Sequence, residues 1–451
     1  MKHAASLSLL LLFFTQSCEK TVTRTVTKEV IVEKEVVVSI HDGYSLSVGF
    51  DHENRLYDVG EKVEVAISFT HNGEPVQEDL TIEVSKDNYL PTVQKSTVRM
   101  GEEPYVMELS MDEPGFLMVK ATCKIPDGPT VTKIGSAGIS IYDIKRSQEE
   151  PEDFVAYWEE QKALQRALPD DIRLTPVTTT VGGVTAYDVQ ASCLAGNFSA
   201  YLAIPEGALP ESLPAMVLCH GAGVASSRLS VAAQWASRGI IALDFNVHGL
   251  QNGLAQEYYS ALGAQGGELF QYYLKGSESR ETIFFRYMIL RLVKAMDIVT
   301  AREEWDGENL IVYGRSQGGG QSIIASGIDD RVNLICAEIP ALCDMTGYKV
   351  GRASGWPRYE SNFKNGLTPE QEESIRYIDA MNFAAHSKAK TYFTVGFIDV
   401  TCPPTSILAA YNTIPAEKHI LHNLYTGHVT TPEGDAYVSE AVDSFLKSIR
   451  Q

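Results

Sequence analysis

The sequence predicts an α/β protein: a doubly wound, mainly parallel sheet preceded by a small all-β, immunoglobulin-like sandwich. Two observations carry the first part. Short apolar runs alternate with helix-competent stretches after about residue 150, at 215–219, 240–244, 310–313, 334–339, 391–395 and 420–425. One of them, Leu310-Ile311-Val312-Tyr313, runs straight into Gly314-Arg315-Ser316-Gln317-Gly318-Gly319-Gly320, a Gly-x-Ser-x-Gly turn between a strand and a helix. The third observation concerns residues 40–145. There, strand-like runs at 44–50, 62–70, 80–84, 105–111, 115–123 and 137–142 are separated by turns such as His71-Asn72-Gly73-Glu74-Pro75 and Pro126-Asp127-Gly128-Pro129.

In chain order, residues 1–17 read as a signal peptide. Lys2 precedes an apolar run, 7–14, that is too short to span a membrane as a mature helix. Ser17-Cys18 resembles the end of a bacterial lipoprotein signal, with Thr15-Gln16-Ser17 an imperfect lipobox. The expected mature chain starts at a lipidated Cys18, which anchors it in the bacterial cell envelope on the periplasmic or outer-membrane surface; an ordinary secretory signal leads to the same compartment. Residues 18–39 alternate Thr, Val, Lys and Glu and read as a tether. The sandwich at 40–145 shows no catalytic cluster and reads as a spacer and stabiliser of the following domain or a docking module; its lack of tryptophan weakens a sugar-stacking role. Residues 146–451 form the α/β domain. A long amphipathic helix is expected at 279–303, and Gly- and Tyr-rich loops at 250–279 and 347–368 are expected to rim a site, with Trp356 and Tyr359 as candidate sugar contacts or, equally, as local packing.

Composition narrows the partners. With 44% hydrophobic and 21% charged residues the chain is globular, and 451 residues leave room for two or three domains. A net charge of −20 argues against nucleic acid and against an electrostatic grip on anionic lipid, and is compatible with a neutral substrate. Beyond Cys18, the six cysteines Cys123, Cys193, Cys219, Cys336, Cys343 and Cys402 show no CxxC spacing, so neither metal nor redox use is indicated.

The Gly-x-Ser-x-Gly turn is a nucleophile elbow. It lifts the Ser316 hydroxyl above the sheet and brings the Gln317 N–H and a helix N-terminus to the same point. A serine nucleophile needs a base and an orienting acid. Only His386, His419, His422 and His428 follow it. His428, in the loop Thr426-Gly427-His428 after a strand, is the expected base. Asp399, at the exit of the run 391–398, is the expected acid, although the residues alone leave an ordinary turn aspartate open. A second oxyanion donor is expected from the loop His220-Gly221-Ala222-Gly223, at the N–H of Ala222, with His220 as a hydrogen-bonding residue of that loop.

These residues resemble the acetyl xylan esterase family, carbohydrate esterase family seven, which includes cephalosporin C deacetylases. The resemblance spans roughly residues 150–451. It rests on Pro151-Glu152-Asp153-Phe154 with Tyr157-Trp158-Glu159; Ala295-Met296-Asp297-Ile298 through Trp305-Asp306; Gly314-Arg315-Ser316-Gln317-Gly318-Gly319; Tyr377-Ile378-Asp379 with Asn382-Phe383-Ala384; Val395-Gly396-Phe397-Ile398-Asp399-Val400-Thr401-Cys402-Pro403-Pro404; Ala409-Ala410-Tyr411-Asn412; and Tyr425-Thr426-Gly427-His428. The resemblance implies an α/β-hydrolase fold and a serine esterase that removes acetyl groups from xylan-type carbohydrate. It also implies a Ser316–His428–Asp399 triad, an oxyanion hole from the Ala222 and Gln317 amides, no cofactor, and a homo-oligomer. Three positions depart from the family. Asp244-Phe245-Asn246-Val247-His248-Gly249-Leu250 stands where Arg-Gly-Gln is usual, Ala222 stands at an often aromatic position, and Val429 replaces a usual Glu. His248 is therefore a candidate pocket residue or a loop-packing one. Two rivals remain: a serine peptidase of the prolyl oligopeptidase type, with the same order of residues, and a non-catalytic glycan-binding surface lipoprotein.

Overall fold

The computed structural model describes residues 43–86 and 92–450, together with the backbone of two short strands, Val30–Ile31 and Ser39–His41. The signal segment 1–17, the Cys18 lipidation position and nearly all of the 18–39 tether lie outside the described residues. Val30–Ile31, within that tether, pairs in parallel with the strand Lys418–Asn423.

The chain builds one large mixed sheet and a separate β-sandwich. Ten strands form the large sheet, in the order Val30–Ile31, Lys418–Asn423, Lys390–Gly396, Val332–Glu338, Trp305–Arg315, Leu213–Cys219, Ile241–Phe245, Gly196–Pro205, Val184–Cys193 and Arg173–Val177. Neighbours from Lys418–Asn423 through Ile241–Phe245 pair in parallel, and the last three strands add on antiparallel. Parallel strands need cover on both faces, and their side chains alternate between the two. Ala215, Val217, Leu310 and Val312 face a core shared with the helices Phe284–Thr300 and Gln317–Ile328. Met216, Leu218 and Ile311 face the helices Leu229–Ala236 and Pro432–Ile449. The chain leaves Leu213–Cys219 for Ile241–Phe245 on one side and then returns to Trp305–Arg315 on the other. That reversal opens a crevice at the carboxyl ends of the two central strands, where such sheets hold ligands. Cys219 and Arg315 end those strands, so the His220–Gly223 loop and Ser316 meet there.

The N-terminal strands make two further sheets. One joins Leu56–Tyr57, Thr130–Ile139, Gly115–Lys124, Asp79–Lys86 and Thr92–Arg99; the other is built around Tyr44–Phe50 and Val63–His71, with Tyr105–Leu109 against the latter. Alternation places Val63, Val65, Ile67 and Phe69 inward, and they close a hydrophobic core of their own with Leu80, Ile82 and Val119. The long helix is shorter than 279–303: Ser279–Thr282 form hydrogen-bonded turns, and the helix runs Phe284–Thr300. The strand Thr92–Arg99 and the antiparallel strands Arg173–Val177, Val184–Cys193 and Gly196–Pro205 add to those expected.

Candidate active site

The elbow is a steric construction. Ser316 has φ 54° and ψ −119°, outside the regions that L-residues favour. Strain of this kind persists only where packing over-determines it. The packing is visible at the glycines. A Cβ on Gly314 would lie 2.4 Å from the Gly318 carbonyl group and 2.7 Å from the Cys219 oxygen; one on Gly318 would lie 2.2 Å from that same oxygen. No larger side chain fits at either position. The Ser316 N–H donates to Glu338 O at 2.9 Å, and its carbonyl accepts from the Ala341 N–H at 2.9 Å. The turn is thus fastened to the next strand and the loop after it.

His428 Nε2 lies 2.9 Å from Ser316 Oγ, and His428 Nδ1 lies 2.7 Å from Asp399 Oδ2. A carboxylate only accepts, so Nδ1 carries the proton and Nε2 presents a lone pair to the serine hydroxyl. Asp399 is fully buried, and its Oδ1 accepts the N–H groups of Thr401 and Cys402 at 2.7 and 2.9 Å. These bonds fix the carboxylate's orientation. The remaining three histidines are engaged elsewhere. His386 Nε2 meets Glu150 at 2.7 Å, His419 Nε2 meets Glu417 at 2.9 Å, and His422 is buried, its pKa pushed down to about 4 by desolvation.

The loop Gly221–Gly223 lies against the elbow: a Cβ on Gly221 would sit 3.8 Å from Ser316 Cβ. Ala222 is exposed, and its N–H donates to no protein acceptor among the described residues. Gln317 opens the helix Gln317–Ile328, where the first N–H groups have no intrahelical partner. A groove of about 460 Å3, bordered by His220, Gly221, Arg228, Trp235, Tyr313 and Arg315, opens beside the elbow.

The candidate pocket residues divide. Tyr359 is fully buried and donates to Tyr273 O at 2.6 Å, so it packs beneath the loop and does not reach a substrate. Trp356 is partly buried against Tyr273 and Phe285, with ring centroids 5.2 and 6.1 Å away. His248 is sandwiched by Tyr272 and Phe284, and its Nε2 donates to Gly223 O at 2.9 Å, so it packs against and supports the Gly221–Gly223 loop. Sequence reasoning missed Tyr272, whose hydroxyl accepts from the Gly223 N–H at 3.1 Å and donates to Gln317 Oε1 at 2.7 Å. Among the described residues one group could hold a metal, Asp399, Cys402 and His428, with ligand atoms within 4.8 Å of one another. Two of its members already bond each other. Burial, reinforced by the Asp399 charge, pushes the Cys402 thiol well above its ordinary range and keeps it a neutral S–H.

Comparison with known proteins identifies the family. Residues 139–449 match the family described as acetyl xylan esterase (AXE1). The acetyl esterase Axe7A of Xylanibacter ruminicola is 30% identical over 394 residues, which cover 85% of this chain and 86% of that protein. The acetyl xylan esterase from Paenibacillus sp. R4 superposes with a TM-score of 0.58 at 26% identity, over 67% of this chain and 98% of its own. Acetyl xylan esterase 1 from Thermoanaerobacterium sp. JW/SL YS485 shares the fold, with a TM-score of 0.56 at 24% identity over 66% of this chain and 96% of its own. By a family match over most of its length and by a relative 30% identical over 85% of it, this chain belongs to the acetyl xylan esterase family and is a carboxylic ester hydrolase.

Proposed function

We propose that the protein removes acetyl groups from acetylated xylan-type carbohydrate through an acyl-enzyme on Ser316. The observation that carries the reading is the continuous hydrogen-bonded run from Ser316 Oγ through His428 to Asp399 at 2.9 and 2.7 Å. In the mechanism this geometry supports, His428 Nε2 takes the Ser316 proton as Oγ attacks the acetyl carbonyl carbon. The carbonyl π electrons move onto oxygen, where the Ala222 and Gln317 amides receive the charge. Each such donor is typically worth about 3 kcal/mol of barrier. Asp399 stabilises the imidazolium. The tetrahedral intermediate collapses, the C–O bond to the sugar breaks as His428 protonates the departing sugar oxygen, which leaves as a free hydroxyl, and water repeats the sequence to release acetate. Every proton transfer runs through His428, and the residues that carry the chemistry are all supplied by the chain.

Acetate release from acetylated xylo-oligosaccharides, with Ser316→Ala as the blank, tests the reading. Release should fall by at least about a thousandfold in the variant while its thermal unfolding stays unchanged. Full activity in the variant removes Ser316 as nucleophile. Inactivity of the wild type on every acetylated glycan, with p-nitrophenyl acetate still cleaved, moves the substrate to other esters. The lipid anchor belongs to the same proposal: the apolar run and Cys18 direct the chain to the envelope. Cys18→Ala should release it into the soluble fraction.

A further inference from the structure

Reading Ser316 as a nucleophile requires a preset oxyanion hole, and the following inference rests on that reading. Three consecutive peptide units of the loop are each held by a different side chain. The Gly221 carbonyl, on the same peptide as the Ala222 N–H, accepts from His220 Nδ1 at 3.0 Å. The Gly223 N–H donates to Tyr272 Oη at 3.1 Å. The Gly223 carbonyl accepts from His248 Nε2 at 2.9 Å. Tyr272 then donates to Gln317 Oε1 at 2.7 Å, tying the loop to the residue that carries the other oxyanion amide.

The holders are themselves held. Asn246 Oδ1 accepts the His248 N–H at 3.0 Å, and Asn246 Nδ2 donates to Ala225 O at 2.7 Å, so one turn grips the loop at two points. The His248 ring stands edge-on to Tyr272 at 4.6 Å and tilts against Phe284 at 5.2 Å. Gly249 permits the approach: its φ is +67°, and a Cβ there would lie 2.1 Å from Asn197 O. His248 Nδ1 is enclosed without a hydrogen-bond partner, and burial pushes the ring's pKa down to about 4, so the donor to Gly223 is a neutral imidazole.

We propose that Tyr272 and His248 are positioning residues that clamp Gly223 by its N–H and its carbonyl, consuming that amide and leaving the Ala222 N–H as the donor to the oxyanion. The clamp matters because a donor already in place needs no reorganisation at the moment charge develops. It also gives a role to the histidine that stands where the family usually has Arg-Gly-Gln: its Nε2 holds the Gly223 carbonyl.

The test is p-nitrophenyl acetate hydrolysis by the full chain, with Ser316→Ala as the blank. Tyr272→Phe and His248→Leu keep most of the packing and remove the bonds. Each should lower kcat by about a hundredfold, the scale of a small misplacement at the reacting centre. KM should move by less than about threefold, as for an interaction made only in the transition state. His248→Gln places an amide N–H near the position of Nε2 and should restore at least about a tenth of the lost rate. Unchanged kcat in the folded variants overturns the proposal. So does a loss confined to KM, or a His248→Gln variant as impaired as His248→Leu. Should His248→Leu not fold, Tyr272→Phe, which removes a single oxygen, carries the test. A wild type that cannot hydrolyse the ester removes the esterase reading and the clamp with it, whereas an active wild type with indifferent variants removes only the clamp.

Discussion

His422 sits in the strand Lys418–Asn423 at 1% exposure, with Nδ1 enclosed and without a hydrogen-bond partner. Desolvation pushes its pKa down to about 4, against about 6.5 in an unfolded chain. Between those values the unfolded chain binds a proton that the folded chain refuses. The contribution is therefore fully present above about pH 6.5 and is lost as pH falls towards 4, a linkage of about 3 kcal/mol. His248 acts with the same sign, since burial pushes it down to about 4 as well. His422→Leu should lose about 2–3 kcal/mol less stability than wild type between pH 7 and 4.5, read from urea midpoints. Parallel losses would place the acid sensitivity on other groups. The same residue shows what the sequence made legible at this scale. Four histidines follow Ser316, and only His428 lies in a loop just past a strand end; the structure places it against Ser316. Tyr272 was not legible, because nothing in a run of loop tyrosines marks the one whose hydroxyl meets Gly223 and Gln317 across the fold.

Among elements, the strand–elbow–helix unit was readable because its sterics are local. Gly314 and Gly318 are required by contacts with each other and with Cys219 at the end of the adjacent strand. Gly318→Ala sets two effects against each other. A helical alanine gains at most about 1 kcal/mol over glycine. Forcing a Cβ to 2.2 Å from a backbone oxygen costs more, about 3 kcal/mol or beyond, because strand and helix must part. The variant should therefore unfold at lower temperature and lose esterase turnover as Ser316 moves from His428; a more stable, fully active Gly318→Ala would contradict the packing. Other elements escaped the sequence for physical reasons. Thr92–Arg99 reads Thr-Val-Gln-Lys-Ser-Thr-Val-Arg and is mostly exposed, an edge strand with no buried face to create an apolar period. The strands Val184–Cys193 and Gly196–Pro205 form an antiparallel pair beside the parallel part of the sheet, and their irregular burial hides the alternation. The helix at Phe284–Thr300 was visible, but Ser279–Thr282 add polar turns that resemble a helical start.

At the scale of the whole molecule, the sandwich does more than separate the esterase from its N-terminus. Phe116 leaves the sandwich fully buried and meets Phe397 edge to face at 5.1 Å, two residues before Asp399. Arg55 donates to Leu424 O at 3.1 Å and lies over the Tyr425 ring at 4.3 Å, three residues before His428. Asn412 Nδ2 bonds Ile141 O and Ile144 O, each at 2.9 Å, where the chain passes from one part to the other. Phe116, Ile141 and Ile144 belong to the same buried cluster as the central sheet. The loops that carry Asp399 and His428 are thus both backed by sandwich side chains. A spacer could be removed without consequence; a buttress could not. Losing buried Phe116 alone should cost about 3–5 kcal/mol. Phe116→Ala should therefore lower the unfolding temperature and reduce ester turnover together, with Arg55→Ala affecting turnover through the His428 loop. Residues 146–451 expressed alone should be poorly soluble or inactive, because Phe397 and the helix Pro404–Thr413 would be exposed to water on the side that Phe116 and Ile141 cover. Full activity and unchanged stability of that fragment would reduce the sandwich to a spacer.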